Sequence, residues 1–153
     1  MFLYLHAPVA LALTAQLTNP AATFTIGLAS HFLIDMIPHG DSHISKNLRV
    51  HKKKKGAFAY GTIDSIIAVY LAIILMHVVR GTSELAFTAA IAGSIMPDLL
   101  IGLHDLTKSK FLKPINDLHF YFHDFFIDRY HDIKLPTALF AQIILIALIM
   151  TQI

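Results

Sequence analysis

Cysteine is absent from the 153-residue chain, which excludes a disulfide scaffold, a thiolate zinc site and a cysteine nucleophile. Charge is scarce as well. Asp, Glu, Lys and Arg make up 14% of the residues, against about a quarter in an ordinary soluble domain, so an enzyme of the usual water-soluble kind is not expected. A formal net charge of +2 is too small to argue for nucleic acid as a partner. Neither a Gly-x-Ser-x-Gly elbow nor a P-loop occurs, which argues against serine-hydrolase and nucleotide-driven chemistry. No Lys or Arg precedes the first apolar stretch, so a secretory signal peptide is not expected. Internal repeats are likewise missing.

What fills the chain instead is apolar. Hydrophobic residues account for 56% and the mean hydropathy is +0.62, a composition that collapses or enters lipid rather than staying disordered. The apolar runs cover residues 1–17, 21–37, 57–79, 85–103 and 135–153. Runs of about 17–23 residues match the roughly 20 needed to cross a bilayer as a helix. The expected fold is therefore all-α: a single polytopic membrane bundle, residues 1–153, with about five transmembrane helices. The first two runs are short enough to form a re-entrant hairpin instead. Asn19-Pro20 marks the turn between them, and Ser83 is the expected N-cap of the fourth run. Between residues 111 and 127, apolar side chains at 111, 115, 118, 122 and 126 follow helical spacing. An amphipathic helix is expected there, lying in the interface or packed on the spans as a lid.

Lys and Arg are distributed unevenly among the connecting segments. Six lie in 38–56 (Lys46, Arg49 and Lys52 to Lys55) and five in 104–134 (Lys108, Lys110, Lys113, Arg129 and Lys134), against Arg80 alone on the opposite side. The positive-inside rule then expects an integral membrane protein with its N-terminus inside and its C-terminus outside. The lysine cluster is first of all a topology determinant, and attraction to anionic membrane lipids adds about 1 kcal/mol per base.

On that topology the ionisable residues share one depth. His31 lies ~10 Å, Asp64 ~12 Å and Asp98 ~8 Å from the inner ends of their runs at 1.5 Å per residue. Asp35 sits one turn from His31 on the same helix face, and His6 is near the inner end of the first run. A carboxylate at mid-bilayer costs about 2.5–3.5 kcal/mol, which protonation or a shared cation relieves. Imidazoles and carboxylates without thiolate suit a divalent ion, zinc first, manganese or iron as alternatives. The expected ligands are His6, His31, Asp35, Asp64 and Asp98, joined by the i, i+4 pair His119 and His123. His39 and Asp41 at the mouth, with His43 nearby, are candidates for general acid/base work or for orienting ligands.

His31-Phe-Leu-Ile-Asp35-Met-Ile-Pro-His39, with Gly93-Ser-Ile-Met-Pro97-Asp98, resembles the motif pair of the small prokaryotic membrane-bound metal-dependent hydrolases. The resemblance implies a metal-ligand role for His31, Asp35 and Asp98. The expectation is thus a metal-dependent hydrolase at the cytoplasmic leaflet, acting on lipid-like or phosphorylated membrane substrates. A proton or metal-ion transporter and a non-catalytic membrane scaffold, in which buried Asp and His pair with each other, are the alternatives.

Overall fold

The computed structural model describes residues 1–42, 44, 54–79 and 83–152. Of the residues named above, His43, Lys46, Arg49, Lys52, Lys53 and Arg80 lie outside this set. Among the described residues the structure is all-helical. The helices are α1 (Leu3–Thr14), α2 (Pro20–Asp35), α3 (Lys54–Val78), α4 (Glu84–Thr107), α5 (Lys113–Asp124), the single turn α6 (Ile127–Tyr130) and α7 (Leu135–Met150).

Two of these, Ala59–Val78 within α3 and Glu84–Thr107, are long and apolar enough to cross a membrane, and α7 with the preceding segment Lys113–Tyr130 gives a third candidate bent by 120°. Their exteriors suit lipid. Ile63, Ile66, Val69, Tyr70 and Met76 on α3, and Phe140, Ile143 and Leu148 on α7, are all exposed. The expectation of five full spans therefore reduces to two or three helices with the necessary length. The first run shows why. Its helix is 12 residues, about 18 Å long against a hydrocarbon core of roughly 30 Å, and it is enclosed by protein: Tyr4, Leu5, His6, Ala7, Pro8, Ala10 and Leu11 are buried. A helix apolar on every side belongs in a core as readily as in lipid.

Around α1 the longer helices alternate in direction. Thr23 Oγ1, early in α2, donates to Ala86 O, early in α4, at 2.9 Å. At this same end Ala10 and Leu11 of α1 pack with Leu75, Phe87 and Met150. At the opposite end α1 begins beside Asp64 of α3. Asn19 caps α2 through Oδ1, which accepts from Ala21 N and Ala22 N. Ser83 caps α4, accepting from Ala86 N at 3.1 Å, as expected. Helix α4 runs through Pro97 and four residues past the apolar run, to Lys108 in the left-handed region (φ 54°).

The packing of α2 on α4 sets the geometry of everything near their far ends. A Cβ on Gly27 would collide with the Ala90 carbonyl oxygen, and one on Gly93 with the Phe24 carbonyl oxygen. Two glycines facing each other's backbone bring the axes close, as small residues do between membrane helices. Beside this crossing His31 meets Ser94 O, and further along the two helices Asp35 comes close to Asp98.

Candidate metal centre

Four side chains from three helices meet at the end of the bundle that carries the described basic residues of 104–134. His31 and Asp35 from α2, Asp98 from α4 and His119 from α5 each present one ligand atom, and those atoms all lie within 4.8 Å of one another. His31 Nε2 is 3.4 Å from Asp35 Oδ2 and 3.8 Å from Asp98 Oδ1. His119 Nε2 is 3.6 Å and 3.9 Å from the same two atoms. The His31 ring is oriented from behind. Its Nδ1 is 2.7 Å from Ser94 O; a carbonyl only accepts, so Nδ1 carries the proton, and the lone pair of Nε2 faces inward, where it also meets His119 Nδ1 at 3.2 Å. That is the usual way in which a ligating imidazole is fixed.

His6 stands against the group without completing it. Its ring stacks on His31 with centroids 4.2 Å apart, and Nε2 lies 3.3 Å from Asp35 Oδ1 and 3.9 Å from Asp98 Oδ2. Neither ring nitrogen makes a hydrogen bond although the residue is fully buried. A buried polar atom without a partner is costly, and an ion in the group would engage it.

A second group adjoins the first. His39 Nε2 is 3.0 Å, and His123 Nε2 3.2 Å, from Asp41 Oδ1. Asp35 and His39 both reach the Met1 amino nitrogen, His39 at 2.8 Å, so the two groups abut. Burial works against a charge on Asp41, but hydrogen bonds from His123 and His39 hold its carboxyl well below the usual carboxylate range.

Asp64 is placed differently from the sequence expectation. Its carboxylate accepts from Leu3 N at 2.7 Å and Tyr4 N at 3.2 Å, capping the first turn of α1 from the neighbouring helix. The positive end of a helix is a third way to satisfy a buried carboxylate, besides protonation and a cation. Asp64 therefore positions α1, and through it His6, rather than joining either group.

The amphipathic segment also differs in its inward face. Phe111 is 95% exposed and Leu118 exposed, while His119 and His123 are buried. Helix α5 is the lid alternative, closed over the site through its histidines, with Phe122 packed on Phe32 of α2 at 5.3 Å between centroids. His77, near the end of α3, is exposed and bonds to Ile73 O.

Two residues matter that sequence reading did not single out. Ser94 orients His31 through its carbonyl, and nothing in its side chain signals this. Asp132, in the segment before α7, accepts from Gly40 N at 2.8 Å and Ser42 N at 3.0 Å. Burial raises its carboxyl, but these backbone donors outweigh that and keep it below the ordinary carboxylate value. The Asp132 contacts pin the turn that carries His39 and Asp41. Gly40 within it has φ +82°, and a Cβ there would come within 2.8 Å of Leu135 Cα.

Comparison of the chain with protein-family models, with curated proteins and with solved structures finds no match. The site therefore rests on its own geometry.

Proposed function

We propose that the protein is a membrane-embedded metal-dependent hydrolase, its His31, Asp35, Asp98 and His119 group holding a divalent ion just inside the cytoplasmic leaflet. The observation that carries this reading is the convergence of two imidazoles and two carboxylates from three helices on one buried space. Without an ion, the Met1 amino group is, among the described residues, the one cation paired with buried Asp35, while Asp98 stands beside that carboxylate and the His6 ring nitrogens lack hydrogen bonds, a costly arrangement in an apolar bundle. Nitrogen and oxygen donors without thiolate suit zinc, with manganese and iron as the alternatives. A bound ion of this kind polarises an ester or phosphoryl oxygen and makes water a competent nucleophile near neutral pH.

The chain's own residues supply the rest. Ser94 holds His31 in register, and α5 covers the group so that water enters from one side. The bases of 104–134 lie at the site's end of α4, which supports reading that end as the cytoplasmic one by the positive-inside rule. On that reading the alternating helices have the N-terminus inside and the end of α7 outside, with α1, α2 and α7 as short rods of a five-rod bundle. A lipid-like or phosphorylated ester at that leaflet is the substrate within reach. The motif resemblance of His31-x-x-x-Asp35 and Pro97-Asp98 points the same way.

Proteoliposomes provide the test. Chelation is expected to abolish ester hydrolysis, added zinc or manganese to restore it, and His31→Ala to remain inactive with either metal. Metal-loaded protein inert toward both carboxylic and phosphoric esters would contradict the reading.

A further inference from the structure

We propose that His39, Asp41 and His123 bind a second divalent cation beside the first, making a dinuclear centre for phosphoester hydrolysis. The inference rests on the hydrolase reading above and adds to it an ion, a ligand set and a substrate class. It also assigns His39 and Asp41 a ligand role in place of the proton transfer expected from sequence.

Three observations carry it. The three donor atoms lie within 4.8 Å of one another, as in the first group. Both imidazoles are held from behind: His39 Nδ1 is 2.7 Å from Ile37 O, and His123 Nδ1 is 2.8 Å from Asp124 Oδ1. A carbonyl and a carboxylate both accept, so each Nδ1 carries a proton and each Nε2 faces inward. The His123 arrangement is the carboxylate–histidine pairing that commonly stands behind a metal ligand. Finally, Asp41 Oδ1 is buried with two imidazole nitrogens at 3.0 and 3.2 Å, neither of them in good hydrogen-bond alignment with it. The lone pair of His39 Nε2 takes the Met1 amino group at 2.8 Å, a proton donor standing where a cation would be held. Asp41 Oδ2 takes a longer contact of 3.3 Å from His123 Nε2, which is what a proton in place of the ion would leave.

The turn that bears two of these ligands is prebuilt. Asp132 fixes Gly40 and Ser42 by their amides, and Gly40 has the backbone conformation and the clearance against α7 that few other residues tolerate. The two groups are contiguous as well. His119 and His123 are one turn apart on α5 with ring centroids 5.8 Å apart, and Asp35 and His39 reach one nitrogen.

Paired ions are suited to in-line displacement at phosphorus, where they stabilise both the attacking and the leaving oxygen. The oxygen of water bonds to phosphorus and the phosphorus–oxygen ester bond breaks, its electron pair leaving on the alcohol oxygen. One water proton ends on that alcohol and the other on the phosphate product.

The experiment is manganese loading of the full chain in detergent, read by metal content and low-temperature electron paramagnetic resonance. Two manganese ions per chain with an exchange-coupled spectrum are expected. Asp41→Asn should leave one ion with an uncoupled spectrum, and His39→Gln gives the same readout should Asp41→Asn fail to fold. Hydrolysis of a soluble nitrophenyl phosphodiester and of phosphatidylglycerol vesicles, which separate a general phosphodiesterase from a lipid-directed one, should fall about 100-fold or more. One ion per chain in the wild type, unchanged by Asp41→Asn and His39→Gln, overturns the second site and leaves the hydrolase reading standing. No bound ion overturns both.

Discussion

Asp64 shows how much a single residue's surroundings decide. Depth along the chain groups it with Asp35 and Asp98, yet its carboxylate spends its charge on the amides of Leu3 and Tyr4. Replacement by Ala is expected to cost about 1 kcal/mol, the usual cost of a lost cap, while metal content stays at the wild-type level; thermal unfolding in detergent beside elemental analysis checks both. The reverse pattern is expected at Asp132. Asp132→Ala frees the amides of Gly40 and Ser42, loosens the His39–Asp41 turn and weakens the second ion about 10-fold, a typical loss when a group supporting a ligand is removed. Competition with a fluorescent zinc chelator measures it, and unchanged affinity would show that the turn holds itself. Residue type and spacing were enough to pick out His31, Asp35, Asp98, His119 and His123, because few other ionisable groups are available at that depth. They could not reveal which acid meets a helix end, since that depends on where α1 starts relative to α3.

At the scale of the elements, the contact of α2 with α4 governs the site. Gly27 and Gly93 each sit against the partner helix's backbone; Gly93 entered the sequence reading only as the head of the Gly93–Asp98 motif and Gly27 not at all, since a glycine in an apolar run carries no directional signal. Either Gly→Ala change is expected to push the helices apart, costing about 1–3 kcal/mol as overpacking does, and to lower metal affinity because His31 and Asp98 part company. Reversible unfolding in mixed micelles and metal titration test this; a variant with full stability and affinity would show that the helices slide without harm. The segment containing α5 was legible as a helix from its apolar spacing, and of that stripe Phe122 packs inward on Phe32 while Phe111 and Leu118 are exposed. The histidines at 119 and 123 face the site with more buried contact than the stripe at 111, 115 and 118, because Asp35, Asp98 and Asp41 offer them partners.

For the molecule as a whole, apolar length and the positions of Lys and Arg were the readable features, and tertiary enclosure was not. Residues 1–17 read as a span because nothing in an apolar run distinguishes lipid from protein as its surroundings. The structure shows α1 wrapped by α2, α3, α4 and α7. Orientation has a clean test, since the chain holds no cysteine and single cysteines report without background. Lys110→Cys is expected to react with an impermeant maleimide only from the cytoplasmic side, and Ser83→Cys only from the opposite side. The central claim, that imidazoles and carboxylates from separate helices hold a cation, is tested most directly by counting divalent ions per chain after metal-replete purification. Wild type and Asp64→Asn are expected to retain metal, and Asp98→Asn and His31→Ala to lose the ion of the first group. Metal-free wild type, or Asp98→Asn and His31→Ala with the wild-type count, would contradict the account.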